Sequence, residues 1–243
     1  MLSPPPALVT PRVKICCISS VEEAAIAIRH GAAAVGLVSA MPSGPGVIGE
    51  ESITEIARTV PPGIATFLLT SLREADAIIA QQRRCRTNTI QLCDAVVPGC
   101  HQKLRAALPG IALVQVVHVT GPESVAEAVS VAASVDAILL DSGNQKLAVK
   151  ELGGTGRRHD WRISREIVAA ARVPVYLAGG LNSDNVAEAI AQVDPQPLRV
   201  FREDHTHIRQ PRRVSGVGQL DVRCGGRVQR RTDGGGRCGG HPV

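Results

Sequence analysis

Three places in this chain put a reactive side chain or a glycine pair at the end of a short apolar run. Cys16 closes Val13-Lys14-Ile15-Cys16, Asp141 closes Asp136-Ala137-Ile138-Leu139-Leu140-Asp141, and Gly179-Gly180 follow Val175-Tyr176-Leu177-Ala178. A further glycine cluster, Gly153-Gly154-Thr155-Gly156, lies in the long segment after Asp141. A thiol serves as a base once it ionises, which near neutral pH takes a lowered pKa, because a free thiol titrates at about 8.5. A carboxyl group serves as an acid if burial or a negative neighbour keeps it protonated. Backbone N–H groups of glycines approach a phosphate closely and point at it. Taken singly, each feature has a structural reading: a small buried apolar residue, a loop or helix cap, an ordinary turn.

The elements that must position these groups are legible from periodicity. Apolar runs at 13–16, 33–40, 65–70, 89–93, 113–119, 136–140 and 175–178 read as strands. Helical patterns follow them at 21–30, 51–59, 73–84, 101–108, 123–133, 164–171 and 184–192. The first helix carries Ser20 and Glu23 at capping-box spacing and Gly31 as a stop. Strict alternation predicts a parallel sheet. Seven units fall one short of the eight that close a barrel, and no Gly-x-Gly-x-x-Gly turn follows the first strand, so a (β/α)8 barrel of the TIM type is favoured over an open doubly wound sheet. In such a barrel function sits at the C-terminal strand ends and the loops after them, which is where Cys16, Asp141 and the glycines stand.

The pattern breaks at Gln196. Residues 199–243 hold ten Arg and nine Gly with little apolar periodicity, so the eighth strand and helix are predicted to be missing or replaced by an Arg/Gly-rich tail. The domain reading is a disordered leader over 1–12, a barrel over 13–195 and a disordered tail over 196–243.

Composition narrows the classes. Aromatic residues make up only 2% of the 243, so the core must be built of Val, Ile, Leu and Ala, as suits strands covered on both faces. Residues 1–195 hold 17 Lys and Arg against 18 Asp and Glu, whereas residues 196–243 hold 10 Arg against 4 acids. The net +5 is therefore a property of the tail, and the near-neutral body makes no case for nucleic acid or a membrane as partner. Seven cysteines, an odd number with no Cys-x-x-Cys pair, point to free thiols in a reducing, cytoplasmic setting. The leader, with Pro4, Pro5, Pro6 and Pro11, lacks the charged start and apolar run of a signal peptide, and no apolar run reaches the roughly 18 residues that span a bilayer. Neither His30, His101, His118 and His159 nor Cys224, Cys238 and His241 have metal-ligand spacing; the four histidines read as surface or capping residues, and no metal is expected.

Lys14-Ile15-Cys16, Gln91-Leu92, Asp136 to Ser142, Gly153 to Gly156 with His159-Asp160-Trp161, and Leu177-Ala178-Gly179-Gly180-Leu181-Asn182 with Asn185 to Ala189 together resemble phosphoribosylanthranilate isomerase, in order and spacing, over residues 12–195. The resemblance implies an Amadori rearrangement in tryptophan biosynthesis: N-(5-phosphoribosyl)anthranilate, an aminoaldose, becomes an aminoketose. It implies Cys16 as general base and Asp141 as general acid. Gly153, Gly154, Thr155, Gly156, Gly179 and Gly180 are then the phosphate-binding backbone, while Asp160 and Trp161 fix the long loop and its helix. It implies no cofactor, a small sugar-phosphate as partner, and a monomer or homodimer.

This chain departs from the family pattern in three ways. Cys17 stands where the family has glycine. The loop Met41-Pro42-Ser43-Gly44-Pro45-Gly46-Val47-Ile48 has no arginine, although the family holds the anthranilate carboxylate there with one, a contact worth about 1.5–3 kcal/mol. The third departure is the tail. An alternative to the isomerase is therefore an impaired barrel remnant that binds a sugar phosphate or serves a structural role. A nucleic-acid role for the tail and an indole-glycerol-phosphate synthase reading are weaker, the first for want of Arg-Gly-Gly repeats, the second for want of strand-end lysines and glutamates. The abrupt shift after Pro195 predicts a change of reading frame. Translating the gene's other two frames beyond that codon is expected to yield a strand, a Ser-Gly segment and a helix; if neither frame does, the tail is native.

Overall fold

The computed structural model describes residues 12–145, 148–154, 156–193 and the backbone of 199–202. These fall within the compact unit Met1–Arg209. Residues 1–11 of the expected leader, Thr155 and residues 203–243 of the expected tail lie outside the described residues, as do Cys224, Cys238 and His241.

Strands and helices alternate throughout: β1 (Arg12–Ile15), α1 (Val21–Arg29), β2 (Ala34–Val38), α2 (Glu50–Thr59), β3 (Ala65–Thr70), α3 (Ala75–Cys85), β4 (Thr89–Leu92), α4 (Cys100–Ala107), β5 (Ala112–His118), α5 (Glu123–Ala132), β6 (Ala137–Asp141), α6 (Trp161–Ala170), β7 (Val175–Leu177), α7 (Val186–Val193) and β8 (Arg199–Arg202). Each strand pairs in parallel with its neighbours in chain order, and the ring is closed. The seven expected units are all present, with ends shifted by a few residues.

The eighth strand corrects the sequence reading. Arg199 to Arg202 pairs in parallel with β1, Arg12 opposite Arg199 through Ile15 opposite Arg202, and with β7, Tyr176 opposite Arg199. The strands therefore run past residue 195, into the segment expected to be tail. Arg199-Val200-Phe201-Arg202 offers only two apolar residues between arginines, too few for a periodicity signal. What supports a strand there is tertiary: without it, β1 and β7 would present unpaired N–H and C=O groups along two open edges. One motive for the impaired-remnant alternative thereby falls away. No helix follows β8 among the described residues.

Side chains alternate in and out along each strand. On β6, Ala137 and Leu139 face the barrel interior, while Ile138 and Leu140 face the helices. The interior cluster also takes Val38, Phe67, Leu69, Val114, Val116 and Tyr176, with Phe67 and Tyr176 edge to face at 5.9 Å. The outer layer packs Val35, Leu37 and Leu68 on α1 and α2 (Ala24, Ile53, Ile56), and Ile90, Leu92, Val117, Leu140 and Leu177 on α3 to α7. Each fully buried Leu or Ile contributes about 1.5–3 kcal/mol.

Helix starts follow local chemistry. Ser20 caps α1 by accepting from Glu23 N at 3.2 Å, as the spacing predicts, but the return contact goes to Ser19, whose N donates to Glu23 Oε2 at 2.8 Å. Asp160 caps α6 by accepting from Arg162 N, and the neighbouring Trp161 is buried. The reading of this pair as anchors of the long loop holds.

Closure by β8 yields a prediction. Ending the chain at Val193 exposes the ladder groups of β1 and β7. A lower melting temperature and concentration-dependent light scattering are expected relative to the full chain; unchanged values would show that β8 contributes nothing to closure.

Candidate active site

Because strand direction is uniform, the C-terminal ends of all strands gather at one mouth of the barrel. A cavity opens there, at the place where small-molecule sites of parallel barrels lie. Cys16, just past β1, and Asp141, last in β6, both line it. Gln91 and Cys93 line it from the β4 end, Met41, Ser43, Gly44 and Pro45 from the loop after β2, and Leu152, Gly153 and Gly154 from the loop after β6. Four residues named from the sequence, Cys16, Asp141, Gly153 and Gly154, thus share one cavity.

Gly179 and Gly180 do not line it. They bring the loops after β6 and β7 together. A side chain at Gly180 would stand 2.6 Å from the Gly156 carbonyl oxygen, and its φ of +64° is itself a glycine conformation. At Gly179 a Cβ would meet Ser142 N at 3.0 Å and His159 Nδ1 at 3.1 Å.

The walls are polar in a specific way. Asp141 is buried and accepts from Ser142 N at 2.6 Å. Burial pushes the Cys93 thiol up to about 12, so it is a neutral wall residue at physiological pH. His159, whose Nε2 lies 2.7 Å from Ser164 Oγ, has its pKa lowered by burial, against the opposing pull of Asp141 and Asp160. His118 is a correction to the surface-or-capping reading: it is buried, with Nε2 3.1 Å from the Cys93 carbonyl. It follows Val114 and Val116 on the inward face of β5, a pattern visible in alternation once the strand is located. The long loop is drawn down by Lys150, whose ammonium is 2.5 Å from buried Asp94, and by Ser43 Oγ, which donates to the Lys150 carbonyl. Among the described residues no group of three or more His, Cys, Asp or Glu is placed to hold a metal ion, and no helix is long and apolar enough to cross a membrane.

The residue most underrated by sequence reasoning is Lys14. It is 1% exposed, and its Nζ lies 2.7 Å from Cys16 Sγ and 2.9 Å from Gln91 Oε1. The signal was present, since residues 14 and 16 share a strand face.

The comparisons agree with this geometry. The family model described as N-(5'phosphoribosyl)anthranilate (PRA) isomerase matches residues 13–200. The chain belongs to this family. It is 37% identical over 190 residues to the N-(5'-phosphoribosyl)anthranilate isomerase of Haloferax volcanii, covering 78% of this chain and 82% of the relative. Among solved structures, the phosphoribosyl anthranilate isomerase of Thermotoga maritima is 28% identical with a TM-score of 0.65, over 79% of this chain and 88% of that one. An isomerase of the same family in complex with reduced 1-(o-carboxyphenylamino)-1-deoxyribulose 5-phosphate is 26% identical with a TM-score of 0.62, over 79% and 87%. The match to residue 200 reaches into β8, in keeping with the closed ring.

The departure at Cys17 has a structural counterpart. Its φ is +58°, the left-handed region that a glycine occupies without strain and a side chain occupies at about 1–2 kcal/mol. The Cys17 side chain leans on the loop after β2, where its thiol donates to the Pro45 carbonyl at 3.7 Å. A Cβ at Gly46 would stand 2.5 Å from Cys17 Cβ. Cysteine at 17 thus requires glycine at 46, and two departures from the family, the thiol and the loop without arginine, meet at one contact. Cys17→Gly is expected to raise stability by about 1 kcal/mol. Gly46→Ala is expected to cost about 1–3 kcal/mol in the native chain and measurably less in a Cys17→Gly background. Additive effects in denaturant unfolding of the four proteins would refute the coupling.

Proposed function

We propose that the chain isomerises N-(5'-phosphoribosyl)anthranilate, with Cys16 as general base and Asp141 as general acid. The observation that carries this is the shared cavity: a thiol from the end of β1 and a carboxyl group from the end of β6 reach one space from two sides of the ring. The reaction needs two proton transfers to different atoms of one sugar, and acid and base at separate stations suit it. Asp141 gives its proton to the furanose ring oxygen as the C1′–O bond breaks, leaving a Schiff base. Cys16 takes the C2′ proton, the C–H electrons form the enolamine double bond, and tautomerisation gives the ketone. No step calls for a metal or an organic cofactor.

The glycine segment 153–156 and Gly179-Gly180 are proposed to supply backbone N–H groups for the phosphate. Support comes from Gly153 and Gly154 on the cavity wall and from the close packing of Gly156 on Gly180, which holds the two loops at one side of the mouth. Thr155 belongs to the same segment. Lys150, two residues before Leu152 on the cavity wall, is a cation that an anionic substrate group would meet in competition with Asp94. The reading places the enzyme in the cytoplasm.

Cys16→Ala and Asp141→Asn are each expected to lower kcat by about 10²–10⁴-fold, the usual contribution of a general acid or base, with KM little changed. The assay is loss of anthranilate-adduct fluorescence, with melting temperature as a control for folding. Full turnover in either variant would remove that residue from the mechanism.

A further inference from the structure

Lys14 does not line the cavity, yet its buried ammonium touches Cys16 and Gln91, which do. An ammonium removed from water is costly unless an anion and hydrogen-bond acceptors compensate it. Its contacts include Cys16 Sγ at 2.7 Å, Gln91 Oε1 at 2.9 Å, and the face of Phe67, whose centroid is 4.8 Å away. Gln91 offers a dipole and Phe67 a quadrupole, whereas the Cys16 thiol, at 2.7 Å, can become an anion. The neighbouring strand makes room for the pair. At Gly36 of β2 a Cβ would stand 2.8 Å from Cys16 Sγ, 2.8 Å from Lys14 Cε and 2.9 Å from Lys14 Nζ. Any side chain at 36 would force lysine and thiol apart.

We infer that Lys14 is a positioning residue that holds Cys16 as a thiolate, in a buried Lys14–Cys16 ion pair aimed into the cavity. The inference deepens the isomerase reading and rests on Cys16 being its base. A neutral thiol would have to lose its proton before accepting one; a thiolate paired with an ammonium is ready to take the C2′ proton. Lys14 touches no substrate atom.

Other groups share this interior. Asp141 from β6 carries like charge when ionised and opposes the thiolate, while Cys93 from β4 stays neutral because burial pushes it up to about 12. Tyr176 from β7 is in the same cluster and Cys17 is adjacent, while β8 pairs with β1 through its backbone. The ammonium at 2.7 Å favours ionisation of Cys16.

The test is the pH dependence of Cys16 alkylation by iodoacetamide in the full chain, read by peptide mass spectrometry. An ordinary thiol titrates at about 8.5. The native midpoint is expected to lie at least about one unit lower, and Lys14→Met to raise it by about one unit or more, a roughly tenfold loss of reactivity at neutral pH. The acidic limb of the kcat profile should move the same way with KM held, and Lys14→Arg should restore part of the effect. Equal midpoints in the native chain and Lys14→Met would overturn the inference. Where Lys14→Met does not fold, the native midpoint decides: one unit or more below 8.5 supports the pair, and any higher value overturns it. A lowered, Lys14-dependent midpoint in a chain without isomerase turnover would leave the ion pair standing and defeat the isomerase reading instead.

Discussion

Parallel pairing that runs the whole way round the ring is the constraint on which the site depends. Only in a closed ring do the ends of β1 and β6 face one interior, although Cys16 and Asp141 are far apart in sequence. The closing element is a four-residue strand with arginine at each end. Its pairing with both β7 and β1 satisfies ladder groups that would otherwise be unpaired along two edges. The stability of the fold and the convergence of the catalytic candidates therefore have the same origin.

Inside the ring, chemistry displaces ordinary packing. The interior cluster holds Val, Leu, Ala and Cys residues with Phe67 and Tyr176. Toward the mouth the same inward positions carry Lys14, Cys16, Gln91, Cys93, His118 and Asp141. Burying so many polar groups is unfavourable unless they satisfy one another, and most here do so in small sets: lysine with thiol and amide, histidine Nε2 with a backbone carbonyl, aspartate with the next N–H; among the described residues His118 Nδ1 has no partner. Gly36 makes room for the lysine–thiol pair, and Gly46, besides its φ of +75°, makes room for Cys17. In each case the missing Cβ belongs to β2 or its loop, and the side chain it accommodates belongs to β1 or the residues just after it.

The seven-unit alternation was legible because each strand carried enough apolar residues, and each helix enough periodicity, to be read locally. β8 was not, because its stability resides in its neighbours' edges and not in its own four residues. Cys16 and Asp141 were legible from their place at strand ends, and Gly153 and Gly154 from their place in the long loop. Gly179 and Gly180 were legible as special, but their observed contacts are with the neighbouring loop, which no local pattern reveals. His118 was misjudged, and Lys14 given no role, because a polar side chain on a strand shows its burial only once closure makes every second residue interior.

The convergence of Cys16 with the sugar phosphate is tested most directly by protection. The full chain would be treated with iodoacetamide with and without the reduced carboxyphenylamino-deoxyribulose phosphate, and Cys16 alkylation followed alongside isomerase activity. If thiol and ligand share the cavity, alkylation of Cys16 abolishes turnover and saturating ligand shields it. Alkylation at the same rate with ligand bound, or full activity after Cys16 is modified, would contradict it.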